Sequence, residues 1–131
     1  MKQEDKDLLL KDLCSRLPYG IYGNYLNSDG SLSDDKLLRR VKIGYHDLIC
    51  ADGHDGMVLN GFLKPYLFPL SSMTEEQSME FALLQVNTHK DGFLYVCDCV
   101  NMMKWLLKNH FDIYGLIEKG LAINATNLNI Y

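Results

Sequence analysis

The chain has 131 residues and a mass of 15.0 kDa, with 17 acidic against 13 basic side chains and a formal net charge of -4. That length is the commonest size of one folded unit and can bury a core without disulfide or metal staples, so a single domain over residues 1–131 is expected. Hydrophobic content of 47% with 23% charged residues excludes a disordered chain, and the acidic balance works against a general nucleic-acid binder, whose phosphates it repels.

The first residues, Met1 to Asp7, are charged and run directly into a helical pattern with no apolar leader, and no apolar run approaches the roughly 20 residues that cross a bilayer. A cytoplasmic protein with no membrane partner is expected. Cys14, Cys50, Cys97 and Cys99 are accordingly expected as thiols.

From Glu4 to Leu17, the residues Leu9, Leu10, Leu13, Cys14 and Leu17 recur at helical spacing, and Lys6, Asp7, Lys11, Asp12 and Arg16 fall outside that stripe. The pattern predicts an amphipathic helix stopped by Pro18 and Gly20. Tyr19 to Leu26 predicts a short strand closed by the turn Asn27-Ser28-Asp29-Gly30. Leu37 to Tyr45 alternates, His46 to Ala51 is a further strand candidate, and Met57 to Leu63 returns as the last strand before Pro65. Short strands joined by glycine turns predict a small antiparallel sheet, a meander or open barrel.

The stretch Lys64 to Thr74 holds Pro65 and Pro69, which forbid a regular helix or a central strand there. Hydroxyls follow that start a helix: Ser72 with Glu75, or Thr74 with Gln77, fits a reciprocal cap. Met79, Ala82, Leu83 and Val86 form the expected core face of that helix. Phe93 to Cys97 reads equally as a buried strand or a helical start; Asp98 is placed as an N-cap, with Val100, Met103 and Leu107 facing the core and Lys108 and His110 at the carboxyl end. Ile113 to Leu121 predicts a short final helix ended by Gly120, followed by a tail. The expected fold class is α+β: an N-terminal helix, a small antiparallel sheet, then two to three helices.

Three blocks, Asp7 to Gly20, Lys64 to Gln77, and Trp105 to Ala122 with its run Asn109-His110-Phe111-Asp112-Ile113-Tyr114-Gly115, resemble in the same order a family of small proteins from gut Bacteroidales and their phages or mobile elements. The resemblance implies a bacterial or phage cytoplasmic protein. No established activity attaches to that family, so no catalytic residue carries over. Gly23 departs from the family's first block, which continues into its strand without it.

Cys97-Asp98-Cys99 with His89 and His110 has metal-ligand residue types, but a C-x-C pair converges poorly on one ion, and no metal or cofactor is expected. His54 beside Asp52 and Asp55 is the one acid/base arrangement that a turn permits, and a solvated turn is the plainer account of it. Lys36, Arg39, Arg40 and Lys42 concentrate positive charge, although strand alternation separates Arg39 from Arg40 and Lys42. The segment Pro65 to Leu70, with Tyr66 and Phe68, reads as a clamp over the core or as an apolar contact. The balance favours a non-enzymatic interaction or regulatory module contacting a protein through Arg39, Arg40, Lys42, Tyr66 and Phe68. The alternatives are a small hydrolase or metal-dependent enzyme, and a nucleic-acid-binding accessory protein.

Overall fold

The computed structural model describes residues 2–25, 29, 31, 39–43, 48–50, 63–86 and 96–131. Helix α1 spans Gln3–Arg16, with Glu4 and Asp5 at its amino end and Arg16 at its carboxyl end, each placed favourably against the helix dipole. A 3-10 turn over Leu17–Tyr19 and Gly20, at φ 76°, then redirect the chain into the sheet.

The strands are β1 (Tyr22–Tyr25), β2 (Arg39–Ile43), β3 (Leu48–Cys50), β4 (Leu63–Leu67) and β5 (Ile123–Asn124), in spatial order β3-β2-β1-β4-β5. The α+β class is as expected from the sequence. The strand order is that of a Greek key and not of a meander, because β4 returns to lie antiparallel beside β1, with Gly23 opposite Pro65 and Tyr25 opposite Leu63. β5 then adds in parallel to β4, which makes the sheet mixed.

Pro65 is inside β4, which lies between β1 and β5, against the expectation that the prolines bar a central strand. The β4–β5 pairing begins at Tyr66, so among the described residues Pro65 is paired to β1 alone, and a missing N–H is tolerated on a side without a ladder partner. The strand therefore runs on to Leu67. Pro69 marks its end, leading into a 3-10 turn at Leu70–Ser72 and then helix α2 (Glu75–Val86). Of the two possible caps, the chain uses the second: Gln77 N–H donates to Thr74 Oγ1 at 3.2 Å, and Thr74 N–H donates to Gln77 Oε1 at 3.0 Å.

Helix α3 spans Val96–Lys108, so Val96 and Cys97 are helical and Asp98 lies in the first turn instead of preceding it. The helix stops in a left-handed cap at His110, φ 64°, with His110 N–H donating to Leu107 C=O and Phe111 N–H to Leu106 C=O. The predicted last helix is a single helical turn closed in the same way at Gly120, φ 73°, where Gly120 N–H donates to Ile117 C=O and Leu121 N–H to Leu116 C=O. Gly115, at φ 71°, prevents that turn from extending backward as a helix.

The core gathers Leu9 and Leu13 of α1, Ile21, Leu67 of β4, and Leu116, Leu121 and Ala122 from the closing turns. A row of rings runs beside it: Phe81 to Trp105 at 5.4 Å, Trp105 to Phe111 at 5.8 Å, Phe111 to Phe68 at 6.2 Å, and Phe68 to Tyr131 at 6.0 Å. Among the described residues no helix is long and apolar enough to cross a membrane.

Removing the cap oxygen with Thr74→Ala costs about 1 kcal/mol, read by urea denaturation, because it leaves the Gln77 N–H without its acceptor. Leu13→Ala, in the centre of the core, costs about 2–5 kcal/mol in the same measurement.

Candidate functional site

The inward face of α1 is Leu9, Asp12, Leu13 and Arg16, a run at i, i+3, i+4, i+7 in which two of the four residues are charged. Asp12 and Arg16 are both 0% exposed. The sequence reading placed them off the buried stripe; instead Leu10 and Cys14 are exposed and the ion pair is inside. Arg16 donates from Nε to Asp12 Oδ2 at 2.7 Å and from Nη2 to Asp12 Oδ1 at 2.8 Å, a two-pronged pair within one helix. Arg16 Nη2 also donates to the Phe111 carbonyl at 2.6 Å, which joins the end of α1 to the segment leaving α3. Burial raises the Asp12 carboxyl above its ordinary range, against the hydrogen bond and charge of Arg16, and the nearby Asp112 adds to the rise.

His110 holds the left-handed cap position that glycine usually takes. Its ring stacks on Tyr131, with centroids 3.5 Å apart and planes 10° apart. Its Nδ1 is buried with no hydrogen-bond partner among the described residues, as is Arg16 Nη1. Burial first, and the Arg16 charge second, lower the His110 pKa to about 4, so the ring is neutral near pH 7. Tyr131 donates its hydroxyl to the Tyr66 carbonyl at 2.9 Å and accepts the Tyr22 N–H at 3.1 Å; burial pushes its pKa upward.

Asp112 follows the bridge between β4 and the end of α3, where Phe68 N–H donates to His110 C=O and Asp112 N–H donates to Phe68 C=O, both at 2.8 Å. Its two carboxylate oxygens accept the N–H groups of Leu116 and Ile117, each at 2.9 Å. This carboxylate nucleates a turn. A cleft of about 350 Å³ opens on one side of the bridge, lined by Leu70, Ser71, Asp112, Ile113, Ile117 and Glu118 among others. A smaller one of about 170 Å³ lies between Phe68, Ser72, Thr74, Gln77 and Phe111.

The predicted contact residues are dispersed by the fold. Tyr66 is 1% exposed and its hydroxyl accepts from the buried Asn24 Nδ2 at 3.1 Å, so it serves the core as a clamp and offers no surface. Phe68 is half-buried in the aromatic row. Arg39, Arg40 and Lys42 lie together in β2, where Arg40 is opposite Tyr22 and Lys42 opposite Ile49. His54, with Asp52 and Asp55, and His89 lie outside the described residues. Cys14 and Cys99 are free, exposed thiols, and among the described residues no group of three His, Cys, Asp or Glu side chains is arranged to hold a metal.

The face expected to be buried on α2 is turned outward. Phe81 packs on Trp105, and Trp105 Nε1–H donates to Glu80 Oε2 at 3.2 Å, so that side of α2 meets α3. Met79 and Leu83, two positions either side of Phe81 and hence about 200° round the helix from it, are left 64% and 66% exposed. On α3, Leu107 is buried as expected, but Val100 and Met103 remain exposed.

Arg16→Ala leaves a buried carboxylate unpaired and costs about 3–5 kcal/mol in urea denaturation; Arg16→Lys recovers only part of it, because one ammonium cannot make both bonds to Asp12 and the third to Phe111. The apolar double variant Asp12→Leu/Arg16→Met is milder than Arg16→Ala alone. Gly115→Ala costs about 1–2 kcal/mol from its positive φ alone, since an added Cβ meets no atom within 4 Å. No family model, curated protein or solved structure matches this chain.

Proposed function

We propose that the protein is a non-enzymatic interaction or regulatory module of bacterial or phage origin, and that its partner is a protein. The observation that carries this reading is the exposed apolar pair on each of α2 and α3. Met79 and Leu83 are one helical turn apart on α2, and Val100 and Met103 are one turn apart on α3, so each helix presents a short apolar stripe instead of a scatter of single residues. Each fully buried side chain of this type gains about 1.5–3 kcal/mol, a gain that a partner would realise by covering the stripes. Methionine, unbranched and polarisable, adapts to a partner of irregular shape.

The buried titratable groups fit the same reading. Asp12 is taken up by Arg16, and Asp112 by two backbone N–H groups, so both carboxylates act as structural acceptors. Arg39, Arg40 and Lys42 on β2 supply a second, cationic contact candidate.

Affinity capture with the wild-type chain, with Met79→Glu/Leu83→Glu and with an Arg39, Arg40 and Lys42 triple alanine variant tests the proposal. Because both α2 side chains are exposed, the glutamate pair shifts stability by no more than about 0.5 kcal/mol per site while abolishing retention of the partner. Equal retention by the wild type and both variants, or wild-type protein that recovers no partner, removes the reading. Retention of nucleic acid that weakens steeply with salt and fails in the triple variant would replace it with the nucleic-acid alternative.

A further inference from the structure

The segment 125–131 is held at its two ends. At its start Ala125, 0% exposed, donates its N–H to the Leu67 carbonyl at 2.8 Å. Between the ends the chain makes its own turn, Leu128 N–H donating to Ala125 C=O, with Asn127 and Asn129 at positive φ and with Leu128 exposed. At its far end Tyr131, 41% exposed overall, is tied by its ring and hydroxyl: the hydroxyl bonds both Tyr66 C=O and Tyr22 N–H, and the ring lies flat on His110.

We propose that this segment is an acid-released strap, with His110 as its lock: the strap stays closed while the imidazole is neutral and opens when the imidazole takes up a proton. The lock combines three features of one residue. His110 sits at φ 64° where the fold must hold it, its ring faces Tyr131 at 3.5 Å, and its Nδ1 is buried with no partner among the described residues. Protonation would put an N–H at a buried position without an acceptor, and would place a second positive charge near that of Arg16.

The surrounding charges do not offset this. From α1, Arg16 is the facing cation, and its partner Asp12 already accepts from it with both oxygens. From the chain that follows, Asp112 accepts two backbone N–H groups. Tyr66 of β4, Tyr22 of β1 and Tyr131 of the strap bring phenol rings and no carboxylate side chain, and Lys104 and Lys108 of α3 are exposed. An imidazolium would gain something from the π face of Tyr131; against it stand loss of water and the Arg16 charge, which lower the His110 pKa to about 4.

The sign follows from linkage. The open form, with an ordinary histidine near pH 6.5, binds the proton before the closed form does. Closure is therefore complete above about pH 6.5 and is lost as pH falls toward about 4. Over that window the open fraction rises by up to roughly tenfold per pH unit.

Amide hydrogen exchange on the intact chain, corrected for intrinsic pH dependence, reads this directly, because the Tyr22 N–H is bonded to the Tyr131 hydroxyl. Protection at Tyr22 and Leu128 is expected to fall by about tenfold or more across the window while the amides of α1 keep theirs. In His110→Asn, whose side chain accepts a left-handed conformation and does not titrate, that step is expected to vanish. In the wild type, a proton-NMR titration of His110 and the ring shifts of Tyr131 should share one midpoint well below the usual histidine range. Flat protection in the wild type, a step that persists in His110→Asn, loss of all amides together, or separate midpoints for the two rings would each overturn the proposal.

Discussion

The Arg16 guanidinium is the point on which the fold turns. Burying a charged pair costs several kcal/mol per ion, and this pair is tolerable because each of its direct contacts has good geometry: two parallel bonds to Asp12 and one to the Phe111 carbonyl. The carbonyl is what makes the interaction tertiary. Asp12 and Arg16 lie on the same helix and would meet on an isolated helix in water, where such a pair contributes little. Through Phe111 the guanidinium is also bound to the strained exit of α3, so the first helix and the segment that follows the last one are fixed by one side chain.

β4 is the second organiser, and it works through backbone. It pairs with β1 on one side and with β5 on the other, and its extension at Phe68 bonds the chain on both sides of Phe111. The aromatic row crosses at the same place, so Phe111 is held by its carbonyl, by its neighbours' amides and by its ring. The three sequence blocks 7–20, 64–77 and 105–122, far apart along the chain, converge on this junction. Their convergence explains why helix, proline-bearing strand and closing turns read as separate elements but act as one piece of architecture.

Several polar groups among the described residues are taken up by structure: Asp12 by the ion pair, Asp112 by a turn, Tyr66 by the core. Among the described residues, Met79 and Leu83 on α2 and Val100 and Met103 on α3 are apolar side chains that periodicity alone would have buried and that the fold leaves exposed. Tyr131 and His110, stacked at 3.5 Å, join the last residues of the chain to the exit of α3.

The sequence by itself determined what depends on neighbours along the chain. The helix of residues 3–16 with its charged ends, a reciprocal cap before α2 with Thr74–Gln77 as one of its two candidates, the stop at Gly120 and the positions of the first three strands all follow from local bonding and backbone preference. Tertiary structure decided what depends on groups distant in sequence. Periodicity marked Asp12 and Arg16 as polar and so as outward, although their spacing with Leu9 and Leu13 already described one helical face; only the Phe111 carbonyl supplies the third bond that makes burial bearable. Met79 and Leu83 were marked inward because they are apolar, yet one helix has two sides rich in apolar residues, and the rings of Phe81 and Trp105 chose between them. Pro65 is tolerated in a strand because, among the described residues, it pairs with β1 alone and the β5 ladder begins one residue later, a property of the sheet order and of nothing within the segment itself.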